Sequence, residues 1–103
     1  ALKYMEDHYS EKLTLSKVAE ETFVSQWHLS KLLNRQEEKN FSEILKQIRV
    51  EHAKELMKEK AYRIVDIAEL VGFTDVAHFS RVFKKLEGIS ANEYRNTRIS
   101  LSE

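Results

Sequence analysis

The sequence predicts an all-α fold of about seven helices, in which two similar helical units are joined by a long helix. Three observations predict it. Apolar residues recur at helical spacing along most of the chain, and no stretch reads as a strand. The segments Leu15 to Phe41 and Ile64 to Ala91 share one pattern: an apolar helix ending in a turn, then a helix bearing Arg or Lys among apolar residues. Leu15-Ser-Lys-Val18-Ala19 lies against Ile64-Val-Asp-Ile67-Ala68 at an offset of 49. After one extra residue in the second turn, Leu29-Ser30-Lys31-Leu32-Leu33 lies against Phe79-Ser80-Arg81-Val82-Phe83 at an offset of 50. Between the copies, Phe41 to Lys60 forms one amphipathic stretch.

Each element follows from its residues. Ala1 to Tyr9 places Leu2, Met5 and Tyr9 on one face of a short lead helix, and Tyr9 to Lys12 breaks it. A helix from Thr14 or Leu15 to Thr22 has Thr14 as N-cap, with Leu15, Val18 and Ala19 facing inward. Ser25 caps Gln26 to Gln36, whose buried stripe is Leu29, Leu32 and Leu33. Asn40 with Glu43 makes a capping-box-like start for Phe41 to Lys60. There Phe41, Ile44, Leu45, Ile48, Leu56 and Met57 form the apolar stripe, and Glu51 to Lys54 and Glu55 to Lys58 form charge pairs on the wet side. Ile64 to Val71 follows, stopped by Gly72 where a positive φ is favoured. Thr74 or Asp75 caps a helix running to about Leu86, which Gly88 closes. Ser90 with Glu93 opens a last helix through Tyr94 towards Ile99. The expected organisation is a first subdomain over 1–40, a linker helix over 41–60 and a second subdomain over 61–103.

Composition excludes several function classes. At 103 residues with 42% hydrophobic content, the chain can bury a modest core and is globular. It has no Cys, which removes disulfides, thiolate zinc sites and Cys nucleophiles. Gly72 and Gly88 are its two glycines and it has no Pro, so no phosphate-cradling glycine loop can be assembled. No nucleophile and base can be paired, and no cofactor is expected. His8, His28, His52 and His78 fall on different helices without paired spacing, which argues against a metal site. No apolar run approaches a membrane span and no start resembles a signal peptide, so a soluble cytoplasmic protein is expected. Ala1 stands in helical pattern with no initiator Met, which points to a piece of a longer polypeptide whose remainder holds a sensor.

Net charge is zero, which by itself argues against nucleic acid, because phosphate neutralisation supplies most nonspecific affinity. Its distribution argues the other way. Val24 to Gln36 contains Lys31 and Arg35 with no acid, and His78 to Leu86 contains Arg81, Lys84 and Lys85 with no acid. The carboxylates gather elsewhere, at Glu20, Glu21, Glu37, Glu38, Glu51, Glu55 and Glu59. A molecule polarised in this way can bind a polyanion on one face. The repeat fits a pair of helix-turn-helix units: a first helix braces a second, Ala19 or Ala68 allows close approach, and the second helix presents its N-terminal outward face to a major groove. A 20-residue linker helix would span about 30 Å at ~1.5 Å per residue. Successive major grooves lie roughly 34 Å apart. One chain could then read two adjacent grooves.

A long ordered run carries a family resemblance. Ile67-Ala68-Glu-Leu-Val-Gly72-Phe73-Thr-Asp75-Val-Ala-His-Phe79-Ser80-Arg81-Val-Phe83-Lys84-Lys85-Leu-Glu-Gly88-Ile-Ser90-Ala-Asn-Glu-Tyr94-Arg95 resembles the signature of AraC/XylS-type transcription regulators. Ala19, Ser25, Leu29-Ser30-Lys31, Phe41, Arg49, Ala53, Leu56 and Met57 extend the likeness over nearly the whole chain. The resemblance implies a bacterial DNA-binding domain of two helix-turn-helix units, each inserting a recognition helix into a major groove. Glu38 stands where the first unit often has Gly, Leu33 where it often has Phe, and Ala91 where the second often has Pro. Such regulators carry a ligand-binding domain or a receiver domain upstream, and RNA polymerase is a further partner. Lys39-Asn40-Phe41 and Arg49-Val-Glu-His-Ala53 resemble the response-regulator branch.

Outward positions nominate the contacting residues. In the first unit these are Trp27, His28, Ser30 and Lys31 for bases, with Ser25, Gln26 and Arg35 at the backbone. Trp27 offers apolar contact to a thymine methyl or sugar, and Lys31 a donor to guanine O6 or N7. In the second they are Val76, Ala77, Ser80 and Arg81 for bases, with Thr74, Lys84 and Lys85 at the backbone. Arg81 is suited to bidentate guanine contact, whereas Val76 and Ala77 offer apolar contact only. Competing readings stand beside these. Trp27 is otherwise a packing residue, Arg81 an ion-pair partner of Asp75 or Glu87, and Lys84 and Lys85 a solvated helix end. Arg49 reads as a buried structural ion-pair partner. The alternative to a DNA-binding output domain is a helical protein-interaction module.

Overall fold

The computed structural model describes residues 2–37 and 40–99. They form α1 (Leu2–His8), α2 (Leu15–Glu21), α3 (Gln26–Glu37), α4 (Phe41–Leu56), α5 (Ile64–Leu70), α6 (Val76–Glu87) and α7 (Ala91–Tyr94), and a π-helical turn at Arg95–Ile99. No strand occurs among the described residues. The all-α expectation is met; Glu38, where the resemblance has Gly, lies outside the described residues. The chain divides into two compact units within α4, after Ile48.

The first unit is built on α1, α2, α3 and the start of α4. Thr14 accepts the Lys17 N–H at 3.1 Å and so caps α2, as its position predicts. Ser25 accepts the His28 N–H at 3.1 Å at the start of α3, and Asn40 accepts the Glu43 N–H at 2.9 Å at the start of α4. Met5, Val18, Ala19, Leu29 and Leu33 are buried together with Ile44 and Leu45. Leu33 is fully buried, so its departure from the family's usual Phe is accommodated inside the core. Leu32, predicted as part of the stripe, is half-buried.

In the second unit Val50, Ala53 and Met57 of α4 are buried, along with Ile67, Ala68, Val71, Phe73, Phe79, Val82, Phe83 and Ala91. The rings of Phe73, Phe79, Phe83 and Tyr94 touch in succession with centroids 5.3, 5.8 and 5.5 Å apart, within the range where edge-to-face pairs add to area burial. Ser90 accepts the Glu93 N–H at 3.1 Å and Ala91 opens α7. A first-turn position thus holds without proline.

The helix from Phe41 ends at Leu56, one turn short of the predicted Lys60. Beyond it the N–H groups of Lys58 and Glu59 turn to the carbonyls three residues back, at 3.2 and 3.0 Å. Arg95 then takes the exit, its Nε donating to the Met57 carbonyl at 3.2 Å and its Nη2 to that of Glu59 at 3.0 Å. These are carbonyls that a longer helix would use itself. Leu56 is accordingly half-buried, and Val50 and Ala53, absent from the predicted stripe, are buried.

Candidate nucleic-acid interface

The two turns are the same device. In the first, Thr22, Phe23 and Val24 donate their N–H groups to Val18, Glu20 and Ala19 at 3.0, 3.3 and 3.0 Å. In the second, Val71, Gly72 and Phe73 donate to Ile67, Glu69 and Ala68 at 3.0, 3.1 and 2.9 Å. Each donor and acceptor corresponds at the offset of 49. Ala19 and Ala68 sit buried beneath the turns, where a larger side chain would hold the helices apart. Past this point the second copy inserts Thr74, so Ser25 corresponds to Asp75 and the offset becomes 50.

Of the two predicted caps, Asp75 is the one that closes α6, accepting the Ala77 N–H at 2.8 Å. Thr74 is left exposed. The choice has an electrostatic consequence. A carboxylate already occupies the positive end of α6, whereas α3 has a neutral serine there. The N-terminus of α3 is therefore the better of the two for a phosphate.

On α3, Leu29 and Leu33 are buried while Gln26, Trp27, His28, Lys31 and Arg35 are exposed. Trp27 is 68% exposed, which removes its reading as a packing residue. The Lys31 ammonium lies 4.3 Å from the Trp27 ring centroid. An i, i+4 pair holds the charge over the ring and limits its wandering. Ser30 is half-buried, the least accessible of the residues nominated on this helix. Asn34, which was not nominated, is exposed one turn beyond Lys31. Its signal lay in its correspondence to Lys84 at the offset of 50.

On α6, Phe79, Val82 and Phe83 are buried, and Val76, Ala77, Ser80, Arg81, Lys84 and Lys85 are exposed. Arg81 pairs with neither Asp75 nor Glu87. Asp75 is the helix cap, and Glu87 instead meets Lys54 of α4 at 3.0 Å. His78, the counterpart of His28, is half-buried and packs edge-on against Phe73, with centroids 5.3 Å apart. Arg49, read from the sequence as a buried ion-pair partner, is half-buried. Its guanidinium lies 5.7 Å from the Phe73 ring centroid, and burial lowers its pKa from the ordinary arginine value.

Lys54 braces the far end of α6. Its ammonium lies 3.2 Å from Glu51 and 3.0 Å from Glu87. Burial works against its charge, yet the hydrogen bonds to Glu87 and Glu51 outweigh it and raise its pKa above that of a free lysine. At the start of α5, Arg63 donates its backbone N–H and its guanidinium to Asp66 at 2.9 to 3.2 Å. The guanidinium bond, then the backbone bond, holds the Asp66 carboxyl below the usual range. Among the described residues no group of three or more His, Asp or Glu side chains is placed to hold a metal ion.

Residues 18–97, most of the chain including both turns, match a family model described as a helix-turn-helix domain. The chain belongs to the AraC-type helix-turn-helix family. Similar solved structures include the C-terminal domain of AraT, a response regulator from Geobacillus stearothermophilus. It is 39% identical with a TM-score of 0.88, over 95% of this chain and 82% of that one. The DNA-binding domain of AdpA, solved in complex with a target DNA, has a TM-score of 0.89 at 18% identity over 97% and 90% of the two chains, a likeness of fold. An uncharacterised helix-turn-helix-type transcriptional regulator of Escherichia coli, YijO, is 35% identical over 92 residues, 89% of this chain and 32% of that protein. The chain thus spans about a third of that relative's length. The AraC-type assignment places α3 and α6 as the second helices of the two motifs.

Proposed function

We propose that the chain is the sequence-specific, double-stranded DNA-binding output domain of a bacterial transcription regulator, with α3 and α6 entering successive major grooves. The observation that carries this reading is the pair of exposed faces on α3 and α6, free of acid among the described side chains, each set on the same turn. Trp27, His28, Ser30 and Lys31 read bases in one groove, with Ser25, Gln26 and Arg35 at its backbone. Val76, Ala77, Ser80 and Arg81 read the other, with Thr74, Lys84 and Lys85 at the backbone. Ser30 contributes least in the first unit because it is half-buried. The working division is 1–40 and 61–103 for the two readers and 41–60 for the connection.

The regulator's remaining length holds the signal-receiving part. A receiver domain is favoured by the likeness to the C-terminal domain of the AraT response regulator, and by a further likeness, at 31% identity, to that of the response regulator YesN from Fusobacterium nucleatum. RNA polymerase and a cytoplasmic setting belong to the same reading. No helix among the described residues is long and apolar enough to cross a membrane.

The test is a titration with labelled duplex at several salt concentrations. Affinity should fall steeply as salt rises, by a slope of about 0.9 per phosphate contact. Salt-independent association, or none, would return the chain to the class of protein-interaction modules.

A further inference from the structure

We propose that Phe23 is an additional DNA-contacting residue of the first unit, packing its ring on the deoxyribose backbone beside the groove that α3 enters. This rests on the DNA-binding reading above. Phe23 has a φ of 60° and Gly72, its counterpart, a φ of 104°. The matched hydrogen bonds of the two turns show that the turn itself imposes the left-handed conformation. Glycine adopts it freely, whereas a phenylalanine is strained there by its Cβ. Packing gives nothing back, since the side chain is 94% exposed while its neighbours Thr22 and Val24 are half-buried. Folding favours neither the backbone nor the ring at this position, and such outliers gather where a ligand is met.

The surroundings indicate which ligand. Phe23 stands two residues before the Ser25 cap, at the end of α3 that enters the groove. The acid-free stretch from Val24 onward carries Lys31 and Arg35, both exposed. On the DNA-binding reading the N-terminus of α3 meets the duplex, so a ring two residues before its cap lies beside the backbone, where the sugars offer it an apolar face. The exposed Glu20 and Glu21 precede it, and the cations Lys31 and Arg35 lie further along α3. A phenyl ring has no donor for phosphate or base edges, so its partner is the C–H face of the sugar. Such a contact adds affinity without reading sequence and without releasing counterions.

The experiment titrates wild type, Phe23→Gly and Phe23→Ala against end-labelled duplexes of roughly 30 bp, one of mixed sequence and one selected from a random pool, across a range of salt. Phe23→Gly should raise Tm by about 4 °C, because the backbone strain is relieved. It should weaken binding by about fivefold on both duplexes, the loss of one apolar contact, with the salt slope unchanged. Phe23→Ala should weaken binding equally without the gain in Tm. Unchanged affinity of Phe23→Gly overturns the inference and leaves the parent reading standing. So does a weakening seen in Phe23→Gly alone, one confined to the selected duplex, or one that shifts the salt slope. If wild type itself fails to bind duplex, the parent reading falls first.

Discussion

Lys31, held over Trp27, and Arg81, which has no ion-pair partner among the described residues, are the two cations proposed to discriminate bases. Arg81→Ala should weaken binding to a selected site by roughly 1 to 3 kcal/mol and relax preference at one base pair, as measured by competition with single-position variants of that site. Lys31→Ala should do the same at a different base pair. The accessibility of these side chains was legible from helical register. The conformation of Phe23 was not, because a phenylalanine ordinarily signals core and the glycine-like demand of its turn shows only against Gly72. A second residue-scale effect concerns acid. The Asp66 carboxyl has a depressed pKa in the folded chain, so its bonds to Arg63 stabilise the fold above the unfolded carboxyl value of about 3.9 and fade as pH falls through the lower folded value. Thermal melts from pH 5 to pH 2 should therefore show a smaller acid-induced drop in Tm for Asp66→Asn than for wild type.

At the scale of elements, caps and braces decide where the helices stop. Gly88 closes α6 with a φ of 84°, its N–H donating to the Lys84 carbonyl at 2.8 Å, and no atom lies within 4 Å of where a Cβ would stand. Gly88→Ala should thus cost about 1 kcal/mol in urea unfolding, all of it backbone strain with no clash. Lys54 and Glu87 are 22% and 20% exposed, buried enough that removing one strands the other. Lys54→Ala should destabilise the second unit by about 1 to 2 kcal/mol. Helix starts were legible because Thr14, Ser25, Asn40 and Ser90 are short-range signals. The end of α4 was not, since it is set by Arg95, far along the chain, taking the carbonyls of Met57 and Glu59. The choice of Asp75 over Thr74 likewise turned on the extra residue in the second turn, which sequence alone leaves open.

For the molecule as a whole, zero net charge is compatible with a polyanion partner because charge is sorted by element. Acids on α2, α4 and α5 pair with neighbouring cations, as in Lys17–Glu21, Lys54–Glu51 and Arg63–Asp66, and Glu87 at the end of α6 pairs with Lys54, while the exposed charged residues described on α3 and α6 are cationic. On the proposed function the copies are unequal readers. The first offers an aromatic ring, a held ammonium and a neutral helix N-terminus, and the second offers Arg81 behind a carboxylate cap. The most direct test compares two double variants that remove the same charge, Lys31→Ala with Arg81→Ala, and Lys3→Ala with Lys58→Ala on α1 and just past α4. Each is titrated with a duplex selected from a random pool. Wild type and the Lys3/Lys58 variant should bind alike, and the Lys31/Arg81 variant should bind at least about tenfold more weakly. Equal affinity of all three proteins, or equal loss in both variants, would contradict the assignment of α3 and α6 as the DNA-reading helices.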